Sequence, residues 1–282
     1  MTDKRILIAG GDMRQIYCAE RLSAKYDITL AGWDKELVPD GLGIVPYGEY
    51  DCLLLPVPPL AENGSISTPC FSGTLVPDEL KGLLAPEAVI LAGKYDKRLS
   101  SYFPDNAVVD YMEREELSLN NAVPTAEGAV QIALEELPVT LSGSKVLIAG
   151  MGRIGTALAE ILKGFGAEIH TAVRNPNGAA KARIHGIEAV TANTMDSDYT
   201  VVFNTVPDMI FTRERLSRMS TATLFIDLAS KPGGIDFNSA AELGIKTIWA
   251  LGLPGRTAPV TAGEMIAETV ELIIAERSIE HD

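Results

Sequence analysis

The stretch SKVLIAGMGRIGTALAEILKGF, residues 144–165, decides the fold. Lys145–Ala149 is a short apolar run with the length and residue types of a buried parallel strand. Gly150, Gly152 and Gly155 follow at the G-x-G-x-x-G spacing, and from Ile154 onward the apolar spacing predicts an amphipathic helix. Each glycine has a physical task. Gly150 permits the tight turn out of the strand, Gly152 lets a pyrophosphate approach the backbone, and Gly155 lets helix and strand pack closely. The helix N-terminus at Ile154, with Arg153 in the glycine loop just before it, then turns its N–H groups and dipole toward the phosphates. The spacing alone is weak; strand, loop and helix in order make it a dinucleotide site.

Working outward, a chain of 282 residues has room for two domains of about 100–150 residues each. Hydrophobic residues make up 46% and charged residues 22%, which predicts an ordinary globular protein rather than a disordered or fibrous one. No apolar run reaches the ~18 residues of a membrane span. The N-terminus MTDKRILIAGGD enters a strand directly, without a signal-peptide pattern, so the expected location is the cytoplasm. A formal net charge of -14 repels phosphate backbones and argues against nucleic acid and anionic membranes as partners. Cys18, Cys52 and Cys70 have no C-x-x-C spacing, and with only three histidines no metal site is expected.

The residues before the glycine turn predict a separate domain, 1–120. Arg5–Ala9 and Asp27–Ala31 read as strands around a Gly10-Gly11-Asp12 turn and a helix, a βαβ opening that lacks the third glycine of a nucleotide fingerprint. A second nucleotide site here would use Asp34 as ribose ligand. Asp12, Arg14 and Gln15 stand at the mouth of the first strand, where open α/β sheets present ligand groups. Asp12 is equally a helix cap. Residues 51–56, 88–92 and 107–110 read as further strands. The Pro/Gly/Ser/Thr-rich segment 56–74 is expected to be a long loop carrying Ser65, Ser67 and Thr68 as candidate donors, and Lys94 follows the strand 88–92. A helix starting at Pro124 bridges to the second domain, 121–260, with Asn121, Thr125 and Glu127 at its head.

In that second domain the strand 168–173 should end on Asp or Glu in an NAD site, about twenty residues past the fingerprint. Arg174 and Asn175 stand there instead. A guanidinium can grip a 2′-phosphate that a carboxylate would repel, so NADP(H) is the expected cofactor. Arg153 is a second phosphate candidate. The strand 200–204 ends at Thr205, Val206 and Pro207, a turn that borders the cofactor in such domains. Strands at 223–227 and 246–250 complete the sheet and bring Ala229, Ser230 and Lys231 to its carboxyl edge. Residues 251–259 read as a Pro/Gly loop carrying Arg256. Residues 261–275 read as a terminal helix capped by Thr261 with Glu264, and the segment 261–282 is expected to pack back on the first domain. The fold class is therefore α/β: two doubly wound domains, the second a Rossmann domain, with a cleft between them.

Five separated stretches, GGDMRQ (10–15), NAVPTAEGAVQIA (121–133), GMGRIG (150–155), DLASKPGGIDF (227–237) and LGLPGRTAPVTAG (251–263), together resemble the family of dipicolinate synthase A subunits of spore-forming bacteria. The resemblance spans almost the whole chain. It implies an NADP-linked oxidoreductase that works with a flavoprotein-like B subunit. Together they would form dipicolinate from a lysine-pathway intermediate, a dihydro- or hydroxytetrahydro-dipicolinate, in the mother-cell cytoplasm during sporulation. The implied architecture is that of the D-2-hydroxyacid dehydrogenases. The histidine and glutamate of that chemistry are not evident, since His170, His185 and His281 all fall outside these motifs. On this resemblance and the edge positions, Arg14 is the expected carboxylate anchor, with Asn121, Thr125, Lys231 and Arg256 as further binding candidates. Glu127 or Asp12 would relay the proton. A dehydrogenase of another small acid, and a non-catalytic NADP(H)-binding regulatory protein, remain open alternatives, as does a homo-oligomer.

Overall fold

The computed structural model describes residues 4–44, 46–191, 194–195 and 197–280. The chain divides into two compact units, Met1–Asn120 with Ala258–Asp282, and Asn121–Thr257.

The first unit is a five-stranded parallel sheet. Strand β1 (Arg5–Ala9) leads through helix α1 (Met13–Ser23) to β2 (Asp27–Ala31), and β3 (Tyr50–Leu54) follows. Short helix α2 (Pro77–Lys81), β4 (Leu84–Ala92), α3 (Lys97–Tyr102), β5 (Val108–Asp110) and α4 (Glu115–Asn120) complete the N-terminal part. The order is β2-β1-β3-β4-β5, so chain direction across the sheet reverses between β1 and β3. Both faces are covered, which is why these strands read as continuous apolar runs rather than alternating ones. Ile6 and Ile8 point to one core, Leu7 and Ala9 to the other.

The second unit opens with α5 (Ala122–Glu136), then β6 (Lys145–Ala149), α6 (Arg153–Gly164), β7 (Glu168–Ala172), α7 (Pro176–Ile184) and β8 (Glu188–Val190). It continues with β9 (Val201–Asn204), α8 (Arg213–Leu216), β10 (Leu224–Asp227), α9 (Phe237–Glu242), β11 (Thr247–Trp249) and α10 (Leu253–Thr257). The strand order β11-β10-β9-β6-β7-β8 is the doubly wound dinucleotide-binding order, reversing between β6 and β9. Val146 and Ile148 face α5 and α6, while Leu147 and Ala149 face the core that holds Phe211 and Phe225.

The final helix, α11 (Pro259–Glu280), belongs to the first unit. It lays Ile266, Ala267, Val270, Ile273 and Ile274 into the same core as Ile16, Ala19 and Leu22 of α1. Gly263 marks the closest approach: a Cβ there would lie 2.5 Å from the Arg14 carbonyl oxygen and 2.8 Å from Tyr17 Cβ.

Several local expectations change. Helix α11 begins at Pro259, two residues before Thr261, so Thr261 lies inside the helix and does not cap it. Proline at a helix start loses no hydrogen bond and has its φ already set. The Pro/Gly loop 251–259 contains α10, and Arg256 rides on it, exposed. Helix α5 begins at Ala122, so Pro124 sits third in the helix, where its missing N–H has no intrahelical partner to lose. Strand β4 begins at Leu84 rather than at Ala88, because a register shift between Tyr50 and Cys52 lets it bulge before pairing resumes at Val89. Segment 56–74 is pinned by an antiparallel bridge between Leu60 and Ile66, both buried. No helix of the described residues is long and apolar enough to cross a membrane.

Candidate functional site

The turn after β6 sits where strand order reverses, the place at which doubly wound sheets take ligands. Gly150 has φ +98°, a left-handed conformation that strains any side chain. A Cβ there would also stand 2.7 Å from both Thr205 Oγ1 and Val206 Cγ2. A Cβ on Gly155 would collide with the Gly150 carbonyl oxygen, so this helix position requires glycine for close strand–helix packing. Gly152 differs from both. Nothing lies within 4 Å of a Cβ built there, so the space above it is open. It is the N-cap of α6 and offers no side-chain acceptor to the first helical N–H groups. Those groups face an open cradle, which fits a pyrophosphate. Ile154 is partly buried and packs on the core, so it contributes only backbone to this turn. Arg153 opens the helix, exposed.

The opposite wall is the turn after β9. Thr205 Oγ1 donates to the Ala149 carbonyl oxygen at 2.8 Å, tying this turn to the end of β6. Asn204 Nδ2 donates to Val206 O at 3.0 Å and to Asp227 Oδ1 at 2.7 Å. Asp227 is fully buried and also accepts from Ala229 N and Gly234 N. This network sets the shape of the turn 205–207 and of the loop that carries exposed Lys231.

Arg174 follows β7 and is exposed. Its Nη1 donates to Asp208 Oδ2 at 2.6 Å. Asn175 caps α7, its Oδ1 accepting from Gly178 N at 2.8 Å, so that oxygen is committed to the helix. These residues line a cavity of about 700 Å³ with Gly150, Gly152, Lys181 and Arg215. Lys181, Asp208 and Arg215 are additions to the sequence reading. Asp208 stands one residue past Pro207, so its position was within reach of that reading. Lys181 and Arg215 lie on short helices and carry no spacing signal.

In the first unit the reversal between β1 and β3 holds Asp12, Arg14 and Gln15. Asp12 caps α1, and Gln15 Oε1 accepts from Asp12 N at 3.2 Å, completing a capping box. Asp12 also grips Arg14 in a two-point pair: Nε to Oδ1 and Nη2 to Oδ2, both 2.8 Å. Burial pushes the Asp12 pKa up, but the hydrogen bonds and charge of Arg14 outweigh it, and the carboxyl stays below its ordinary range. Burial likewise opposes the Arg14 charge, and Asp12 more than offsets it. Tyr111 lies near this pair, fully buried, its hydroxyl donating to Leu55 O at 3.0 Å. Burial raises its pKa, with Arg14 pulling the other way.

Other candidates are engaged elsewhere. The Asp34 carboxylate accepts from the Ser72 N–H and hydroxyl, which occupies the group a ribose would need. Ser65 donates to Asn63 Oδ1, and the Ser67 carbonyl accepts from Gly11 N. Thr68 is half-buried. Lys94 is exposed at φ +71°, its backbone N–H donating to Asp110 Oδ1. The Thr125 hydroxyl donates to the Asn121 carbonyl oxygen at 2.7 Å, so its proton is committed to α5 and cannot serve a substrate carboxylate. Glu127 is exposed in the second turn of α5 rather than at its start. His170 is buried beside Tyr199 OH at 2.9 Å, and His185 contacts Glu160 at 2.8 Å. His281 lies outside the described residues. Among the described residues no group of His, Cys, Asp and Glu could hold a metal ion.

Two family models match the chain. The N-terminal domain of the dipicolinate synthase A subunit covers residues 5–112, and the NAD binding domain of D-isomer specific 2-hydroxyacid dehydrogenase covers 108–232. The dipicolinate synthase A subunit of Bacillus subtilis (strain 168) is 33% identical over 98% of this chain and 97% of its own. The crystal structure of the dipicolinate synthase A subunit from Bacillus halodurans superposes with a TM-score of 0.89 at 31% identity, covering 96% of this chain and 98% of that one. The crystal structure of its Bacillus subtilis counterpart gives 0.88 at 31% identity, covering 99% and 98%.

Proposed function

The chain belongs to the family of dipicolinate synthase A subunits, and we propose that it oxidises a dihydro- or hydroxytetrahydro-dipicolinate to dipicolinate with NADP+. A dehydrogenase-type role in dipicolinate synthesis follows from the family and from its NAD-binding domain. The finer reading adds NADP as cofactor, a flavoprotein-like B subunit for partner, and the mother-cell cytoplasm of a sporulating cell as setting.

The observation that carries the reading is the open cradle over Gly152 beside a cavity that holds Arg174. When bound, NADP+ supplies a nicotinamide that takes a hydride. Gly150, Gly152 and Gly155 would hold its pyrophosphate against the N-terminus of α6, with Arg153 beside it. Arg174 would hold the 2′-phosphate, and Thr205, Val206 and Pro207 would border the ribose.

A dihydro-dipicolinate becomes aromatic by losing one hydride and one proton; a hydroxytetrahydro ring loses water as well. The chain's own work is to bind two carboxylates, fix the ring and accept the proton. Arg14 anchors one carboxylate in this reading, because its guanidinium is already oriented by Asp12. Asp12 is held ionised and engaged, so it orients Arg14, and Glu127 is the better proton acceptor. Lys231, Arg256 and Asn121 are the remaining contacts for the second carboxylate.

The test is turnover. The purified chain, NADP+ and the enzymatically generated lysine-pathway intermediate should yield dipicolinate and NADPH together. Products that form only when the flavoprotein-like partner is present would mean shared catalytic groups. Dipicolinate without NADPH would sink the cofactor reading. Silence in every combination would mark the chain as a regulatory protein, while NADPH from another small acid alone would mark a different dehydrogenase.

A further inference from the structure

We propose that Asp208 sets cofactor preference by competing with the 2′-phosphate for Arg174. The inference rests on the NADP reading above and names the residue that moderates it.

The end of β7 carries Arg174 where an NAD site would carry a carboxylate. A carboxylate is nonetheless present. Asp208 comes from the turn after β9 and meets Arg174 Nη1 at 2.6 Å. In the sheet β6 lies between β9 and β7, so the pair reaches over the strand that carries the glycine turn. Both side chains line the same cavity of about 700 Å³, together with Lys181 and Arg215. Arg215 is partly engaged, donating to the Ile210 carbonyl oxygen, which leaves Arg174 and Lys181 as the cavity's exposed cations.

Exposure decides how this pair behaves. The side chains are 78% and 57% exposed, so the bond is a weak, exchangeable one. A 2′-phosphate carries more charge and more acceptor oxygens than one carboxylate, and it can replace Asp208 on the guanidinium. Asp208 then stands nearby as a like charge and as a ready partner for Arg174 when the cofactor leaves. NAD+ brings no phosphate to this position, and the pair stays closed beneath it. Asp208 therefore weakens NADP+ binding, leaves NAD+ binding alone, and hastens NADP+ release.

Calorimetric titration of the full chain with NADP+ and NAD+ tests this without turnover. Asp208→Asn should bind NADP+ about two- to fivefold more tightly, the worth of an exposed ion pair, with NAD+ affinity unchanged. In an Arg174→Ala background the same substitution should give a smaller gain, because the contested guanidinium is gone and only the like-charge repulsion is left to relieve. Unchanged or weaker NADP+ binding by Asp208→Asn overturns the proposal, as does an equal gain for both cofactors. Arg174→Ala separates the two layers. If it loses NADP+ affinity while Asp208→Asn gains none, only the Asp208 proposal fails. If Arg174→Ala leaves NADP+ affinity intact, the NADP reading itself fails.

Discussion

Asn204 Nδ2 lies 2.7 Å from Asp227 Oδ1, joining the carboxyl ends of β9 and β10 inside the core of the second unit. Asn204 also bonds both the N–H and the carbonyl of Val206, while Asp227 gathers the N–H groups of Ala229 and Gly234. One buried carboxylate thus shapes both loops that border the glycine turn. Asp227→Ala would strand the buried N–H groups of Ala229 and Gly234, each costing about 1–3 kcal/mol when left without a partner, and would take from Asn204 Nδ2 one of its two acceptors. A loss of several kcal/mol is expected, read in calorimetry as a lower unfolding midpoint for the second unit. An unchanged midpoint would show that the loops hold themselves.

Gly152 and Gly155 should separate binding from folding. Alanine fits the open space at Gly152, and its φ of -83° suits any residue. Gly152→Ala should cost only the N-cap preference for glycine over alanine, at most about 1 kcal/mol, while the methyl blocks the pyrophosphate and lowers affinity for the proposed NADP+ on the order of tenfold, ~1.4 kcal/mol. Gly155→Ala should lower the melting midpoint further as well as the affinity, because its methyl meets the Gly150 carbonyl oxygen rather than solvent. If the two variants behave alike in melting and in calorimetric titration, the assignment of the phosphate cradle is wrong.

The pair of Asp12 and Arg14 predicts a pH signature. Burial raises the Asp12 pKa, the hydrogen bonds and charge of Arg14 together lower it by more, and the folded value lies below the ordinary 3.8. A carboxyl depressed in this way contributes stability that is fully present above its unfolded pKa and is lost as pH falls through the folded one. Asparagine is an equally good N-cap, so Asp12→Asn removes the charge and keeps the cap. The variant should melt below wild type by a constant margin from pH 7 down to about pH 5, and the margin should close below about pH 4. Melting curves across that range check it. A margin that stays open at the acid end would mean that the charge on Asp12 is not its source.

Legibility followed local chemistry. Strands β1, β2 and β6 have the bounds that their apolar runs predict, because both sheet faces are buried and nothing interrupts the run. The glycine turn was legible because its three positions obey separate steric demands at fixed spacing. Asp208 was not, since its meeting with Arg174 joins residues 34 apart across a strand. The commitment of Thr125 to its own helix was equally hidden, because a hydroxyl at a helix head can donate to backbone or ligand with the same residue code. Helix α11 was misplaced by two residues because Thr261 and Glu264 imitate a capping box inside a helix already begun by Pro259.

Gly263 sets two preferences against each other. Helix propensity alone favours alanine over glycine inside α11 by about 1 kcal/mol. Packing opposes it, because the new methyl would stand 2.5 Å from the Arg14 carbonyl oxygen and 3.0 Å from Cys18 N. Those are backbone atoms of α1, which cannot swing aside as a flexible side chain would. The helices must separate, opening the core they share at Ile16, Ala19, Ile266 and Val270. Overpacking of this kind costs about 1–3 kcal/mol, so packing should win. Gly263→Ala is expected to lower the melting midpoint of the first unit. On the proposed role of Arg14 as carboxylate anchor, shifting its helix should also weaken dipicolinate binding while affinity for the proposed NADP+ holds, both read by calorimetric titration. A variant that melts higher than wild type would show propensity winning, and would mean that α1 and α11 have slack at their closest point.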